Sequence, residues 1–406
     1  MDQIFRIAGP LLKITTPLIR RRIRFLPFLP LALLVVLAVR VLRPLVTIRF
    51  GPLPSALIGH FAPNPEVYLC EQEAGIYGRR GVDVFYYKGE TCNLQLKKMW
   101  DRSLHVSQLV SLPDRLNRWL PGGQSHVVPW RLNQDRDTHS LLMRTQPHVY
   151  FTEEEERQGA ESLRQLGVPD GGNFVCFHAR DAAFRAALWP NRDDYHHVYL
   201  NSSILNYQPA AEELVRRGYF AFRMGAVVEQ PLTSTDVRVI DYANNGRTDF
   251  LDIYLAAKCR FFLACASGID AVSMIFRRPT IYANMVPLGY FPTWGPDDLL
   301  IPKKLWLREE GRHLTFREIM NSELRLSATT EQYDRLGIEV IENTPAEITA
   351  VAIEMDERLN ETWETTEEDE DLQRRFWSLY GPSELSRTFQ SRVGTEFLRR
   401  NRELLD

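Results

Sequence analysis

Residues 174–181 read FVCFHARD. The first four form a short apolar run, as expected of a buried strand. A Gly171-Gly172 turn precedes them, and three polar side chains, His178, Arg180 and Asp181, follow. In an open α/β sheet, ligands sit just beyond the carboxyl ends of the strands. The stretch therefore predicts a fixed cation at a crevice. Arg180 suits a phosphate there, because its planar fork makes two parallel, charge-assisted bonds.

Outward from this strand the second half alternates. Runs at 195–200, 219–222, 237–240, 260–264 and 280–283 read as strands, and helical patterns fall at 209–217, 250–257 and 268–276. Such alternation means βαβ units and a parallel sheet. Upstream, Thr152-x-x-Glu155 is a capping box opening a helix that stops at Gly167. The first half has strand patterns at 46–50 and 82–87, helical patterns at 65–73, 93–101 and 113–120, and a loop-like stretch at 121–149. The expected fold class is thus α/β, two such halves with a crevice between them. The expected boundaries are a leader at 1–45, α/β domains at 46–168 and 169–345, and C-terminal helices at 346–406 packing back on the body. Past Ile301 the pattern loosens, although Thr344-Pro345-Ala346-Glu347 is a further capping box. The acidic run at 364–371 and the pair Asp297-Asp298 read as solvated.

The 406 residues are 44% hydrophobic and 25% charged, which fits a globular chain and excludes a disordered one. Residues 1–49 hold nine Lys or Arg and one acid, Asp2, so the rest is acidic overall. A basic leader on an acidic body argues for an anionic lipid surface and against nucleic acid as partner. The run at 25–39 is uncharged, with Arg20, Arg21, Arg22 and Arg24 before it and Arg40 and Arg43 after it. As a helix it reaches ~22 Å, short of a hydrocarbon core of ~30 Å. It reads as a membrane-associated helix, lying in one face or spanning with its arginines snorkelled. Five cysteines without a CxxC pair predict free thiols in a reducing compartment and no zinc site.

Four patches could converge at strand ends. The first is His178, Arg180 and Asp181, which taken alone read more simply as a packed or capping histidine and a surface ion pair. The second is Arg223-Met224-Gly225 after a strand. The third is Ser267-Gly268-Ile269-Asp270, where main-chain N–H groups suit a phosphate but Ser267-x-x-Asp270 is also an ordinary N-cap box. The fourth is Asp249 and Asp252 at a helix start, where acids also serve stability alone. His60, after Gly59, is a candidate general base or a turn histidine. Tyr290 is a candidate to stack on a base or sugar, or simply packs. No DxD with a ligand set appears, so no metal and no cofactor is expected. Charge on a diphosphate would then fall to cations and backbone donors.

The residues FHARD at 177–181 and TDFLDIYLAAKCRFFLACASGIDAVSMIFRRPTIYANM at 248–285 resemble the fucosyltransferase-like superfamily of GT-B glycosyltransferases. From IGHFAPNPEVYLCE at 58–71 to GTEFLRRNRELL at 394–405, the chain is also similar to a bacterial family of glycosyltransferases in surface-polysaccharide synthesis. The resemblance implies a GT-B-like fold of two Rossmann-like domains, with the acceptor on the first half and the nucleotide sugar on the second. It implies metal-independent, inverting hexosyl or deoxyhexosyl transfer from a nucleotide-diphosphate sugar, a GDP-sugar favoured, to a polysaccharide or lipid-linked glycan. It places the enzyme at the cytoplasmic face of the bacterial inner membrane. Arg180 would bind the donor phosphate and assist departure of the leaving group. Arg223, Ser267 and Gly268 would hold phosphate oxygens, with Gly225, Asp249, Asp252 and Tyr290 about the nucleotide and sugar. His60, His178 and Asp181 remain candidates for proton transfer. Asp181 stands where some members carry a second arginine. A P-loop kinase or sulfotransferase would need GxxxxGK[ST], which is absent. The alternative is a non-catalytic nucleotide- or glycan-binding partner of the same fold.

Overall fold

A computed structural model describes residues 26–78, 81–191, 195–265, 267–381 and 383–406. Arg20, Arg21, Arg22 and Arg24 of the expected leader lie outside them. Helix α1 (Leu29–Leu42) buries Ala32, Val36 and Val39, one stripe at helical spacing. Leu31, Leu34, Leu37 and Val41 on its other faces are exposed. Among the described residues, no helix is long and apolar enough to cross a membrane.

The first half is built on three parallel strands in the order β1 (Ile48–Leu53), β2 (Val82–Tyr87) and β3 (His105–Val106). Helix α2 (Ile58–Phe61) follows β1, and α3 (Pro63–Glu73) continues from it. Asn93 caps α4 (Leu94–Ser103) by accepting from Leu96 N, and α5 (Ser111–Trp119) lies beneath α1. The Thr152–Glu155 capping box forms as read and opens α6 (Glu153–Gln165).

The second half is a seven-stranded sheet, ordered β13-β9-β8-β7-β4-β5-β6. Its strands are β4 (Phe174–Phe177), β5 (Phe220–Arg223), β6 (Val239–Ile240), β7 (Phe262–Ala264), β8 (Thr280–Met285), β9 (Leu299–Pro302) and β13 (Arg392–Val393). Every pairing is parallel. From β4 the chain builds outward to β6 and then returns to lay β7 on the opposite edge of β4. Strand β4 is buried on both faces: Phe174 and Cys176 join one core with Phe61, Leu96 and Trp100 of the first half. Val175 and Phe177 join the other, with residues of the C-terminal helices. The class read from the sequence, α/β with a parallel sheet in each half, is therefore the one observed. A small antiparallel sheet of β10 (Lys304–Leu307), β11 (Arg312–His313) and β12 (Ile338–Ile341) extends it.

Several local readings are corrected. Tyr195–Leu200 is a 3₁₀ turn and not a strand. Lys303 Nζ captures the carbonyls of Tyr199 (3.0 Å) and Asn201 (2.6 Å) there, which removes them from any ladder. Strands β10, β11, β12 and β13 occupy the stretch past Ile301, where the pattern loosens. The acidic run is a helix start and not a connector: Thr366 and Asp369 form a capping box that opens the helix Glu367–Ser378, and buried Asp369 pairs with Arg399 at 2.8 Å, while Glu364, Glu367, Glu368 and Asp371 are exposed as expected. Asp298 is buried too. Its Oδ1 accepts from Thr280 N at 2.9 Å, and burial pushes its carboxyl up to about 7.

Candidate functional site

Strand order reverses between β4 and β7, which in parallel sheets is where a crevice opens at the carboxyl ends. Two chain segments leave the sheet there side by side. Past β4, the Arg180 amide donates to Cys265 Sγ at 3.0 Å, while its carbonyl accepts from Ser202 N at 2.8 Å. Past β7, Ser267 Oγ donates to Asp270 Oδ1 at 2.8 Å. Arg180, Ser267 and Asp270 line a cavity of about 340 Å³, together with Tyr199, Tyr282 and Tyr290. The first half closes it with Gly59, Asp135 and Arg136. At Gly59 and Gly268 the seam between the halves is main chain against main chain. A Cβ on Gly59 would stand 2.9 Å from Gly268 Cα, and one on Gly268 would stand 3.0 Å from Gly59 N.

The helix Asp270–Ile275 starts after Ile269 and has no side-chain cap. The expected N-cap box of Ser267 and Asp270 is thus replaced by a hydroxyl–carboxylate bond, because Asp270 turns into the cavity. Burial raises the Asp270 carboxyl to about 7, against the lowering effect of Ser267. Sequence reading treated Asp270 only as a cap. Arg136 was missed as well, inside the stretch read as loop. It is buried, and donates to the carbonyls of Leu385 (2.9 Å), Tyr290 (2.8 Å) and Phe291 (2.5 Å). Its guanidinium also stands over the Trp294 ring, 5.1 Å from the centroid, and burial lowers it to about 10. The density of charge at Arg131, Asp135, Arg136 and Asp137 was the available signal, since long irregular loops inside compact domains tend to be functional.

The structure places the other sequence candidates elsewhere. Arg223 is fully buried and pairs with Asp241 at 3.0 Å. His178 donates from Nδ1 to Met224 O at 2.9 Å, and burial pushes its imidazole down to about 4. Gly225 sits against it, at φ +153. Asp181 accepts from Ala183 N and Glu229 N, at 3.0 and 2.8 Å. Asp249, opening the helix Asp249–Lys258, accepts from Leu94 N at 2.7 Å and so ties the halves together. Asp252 pairs with Arg247 at 2.6 Å, with burial raising it to about 6. His60 is exposed on α2 and, unlike its neighbour Gly59, does not line the cavity.

Among the described residues, Glu66, Cys70 and His148 form one cluster of metal-ligand composition, with ligand atoms within 4.8 Å of one another. A cation already sits there: Arg277 Nη2 is 2.6 Å from Glu66 Oε1 and 3.8 Å from Cys70 Sγ. Burial alone would lower His148, but hydrogen bonds to Cys70 and Glu66 outweigh it and raise the imidazole to about 10. Two positive groups around one buried carboxylate make an ion-pair clamp, and a divalent ion would have to displace them.

No protein-family model matches the chain, and no curated protein matches it. Among solved structures, it is similar to the glycosyl transferase family 9 protein from Veillonella parvula DSM 2008, at 11% identity and TM-score 0.39 over 64% of this chain and 86% of that one. It is similar to the E. coli ADP-heptose lps heptosyltransferase II at 12% and 0.37, over 66% and 93%. It is also similar to the dodecameric iron-containing heptosyltransferase TibC in complex with ADP-D-beta-D-heptose, at 10% and 0.35, over 77% and 78%. The fucosyltransferase-like relationship and the GDP preference find no support in these neighbours. At such low scores the likeness carries no weight for the activity of this chain.

Proposed function

We propose that this chain is a glycosyltransferase of GT-B type, moving a sugar from a nucleotide-diphosphate donor to a glycan or lipid-linked acceptor at a membrane surface. One observation supports this above the rest: Arg180 and the Ser267–Asp270 turn meet at the point of strand-order reversal, in a cavity closed by the first half. The diphosphate lies against the Arg180 guanidinium and the Ser267 hydroxyl, with the rings of Tyr199 and Tyr290 beside the base or sugar. An acceptor hydroxyl attacks the anomeric carbon as the bond to the diphosphate breaks, which inverts the configuration. Arg180 meets the charge that develops on the leaving group. Asp270 takes the hydroxyl proton, because its carboxyl titrates near neutral pH, where general bases work best. The exposed apolar side of α1 rests on the lipid surface.

The test is a melting-shift panel of ADP-, GDP-, UDP- and CMP-sugars, followed by turnover against pH with the donor found. A shift with one nucleotide supports the proposal; none across the panel favours a non-catalytic partner protein. Asp270→Asn is expected to abolish the acid limb of the pH profile. If Asp135→Asn does so instead, the proton goes to the first half.

A further inference from the structure

A cavity of about 850 Å³ lies at the carboxyl ends of β1 and β2 and is walled by α5. Its lining holds three cations, Lys88, Arg115 and Arg118, and no carboxylate, on a chain whose net charge is −3. Arg118 is partly engaged by Asp114 at 3.0 Å. Among the described residues, the side chains of Lys88 and Arg115 make no hydrogen bond or ion pair, and both are exposed. Tyr87 and Trp130 add aromatic walls.

Helix α5 has two sides. Ser111, Leu112, Arg115 and Arg118, at helical spacing, face the cavity. Asn117 faces α1, where it accepts from Arg40 Nη2 at 3.0 Å. The cationic cavity is thus one helix away from the exposed leucines of α1. Trp119, at the end of α5, is 87% exposed, and an exposed tryptophan beside an apolar face suits a membrane interface. An ordinary soluble anion would use the cavity and leave the apolar face unexplained; a lipid-borne one uses both.

We propose that this cavity binds the phosphate head of a lipid-linked acceptor, whose hydrocarbon chain runs along α1 into the membrane. The role as acceptor rests on the transferase reading; the binding does not.

The probe is farnesyl phosphate, titrated by calorimetry into the full chain in neutral detergent, beside inorganic phosphate and farnesol. Farnesyl phosphate is expected to bind at least roughly tenfold more tightly than either fragment. The double variant Lys88→Ala/Arg115→Ala, at two exposed positions, should weaken it by roughly tenfold or more without changing the melting shift given by the donor. Equal affinity in the variant, or equal affinity for inorganic phosphate or for farnesol, overturns the proposal. Failure of every nucleotide sugar to bind, with farnesyl phosphate still held through Lys88 and Arg115, would sink the transferase reading and leave this site standing.

Discussion

Removing the guanidinium of Arg277 should cost the fold several kcal/mol. Glu66 has no exposed side-chain surface, Arg277 only 11%, and Nη2 to Oε1 is 2.6 Å. The same guanidinium also bonds Leu142 O through Nε at 2.6 Å and Thr145 Oγ1 through Nη2 at 3.2 Å. Arg277→Met keeps the volume and strands the carboxylate. Breaking one side of a buried pair costs about 3–5 kcal/mol, since the remaining charge stays desolvated. His148 still stands 3.2 Å from Glu66, which puts the expectation at the low end, about 3 kcal/mol. Urea unfolding at pH 7 with unchanged slope would measure it. Adding Glu66→Gln removes the stranded charge, so the double variant should be less destabilised than the sum of the singles. A single-variant loss under about 1 kcal/mol, the range of an exposed pair, would refute the clamp.

The same cluster makes stability depend on pH. His148 is raised from 6.5 to about 10 in the fold, so its contribution is complete below pH 6.5 and fades as the pH climbs toward 10. Wild type should lose stability across that window, and His148→Gln should flatten the loss in thermal scans. Arg180→Ala forfeits a charge-assisted bond to phosphate worth about 1.5–3 kcal/mol, so turnover should fall roughly tenfold to a hundredfold with little change in melting temperature; wild-type turnover would remove Arg180 from the site. Gly268→Ala puts a methyl 3.0 Å from Gly59 N, and overpacking of this kind costs about 1–3 kcal/mol, readable as a lowered urea midpoint.

The sequence made the central strands legible because β4, β5, β7 and β8 are apolar on both faces and bounded by turn residues. Arg180, Ser267 and Tyr290 were legible as positions after strands, and the structure gathers them in one cavity. Arg223 sits in the same kind of position, yet its side chain is buried against Asp241, because strand period tells which face a residue takes only when one face is polar. The capping pattern at Ser267 and Asp270 hid a cavity carboxylate, since one pair of residue types serves both uses. Asp135 and Arg136 were hidden by long-range closure: partners such as Leu385 are far along the chain, and no local pattern records them. Strand β13 is two residues long and found its place only by pairing with β9, which local propensity does not encode.

The seam at Gly59 and Gly268 limits how the molecule can drift. Backbone faces backbone there, so a bulkier residue on one side has no partner side chain that could be trimmed to make room. Compensation by a matching change is closed off, and both positions must stay glycine for the jaws to seat. Related chains that shut their cleft the same way should carry this pair unchanged while the surrounding surface varies freely.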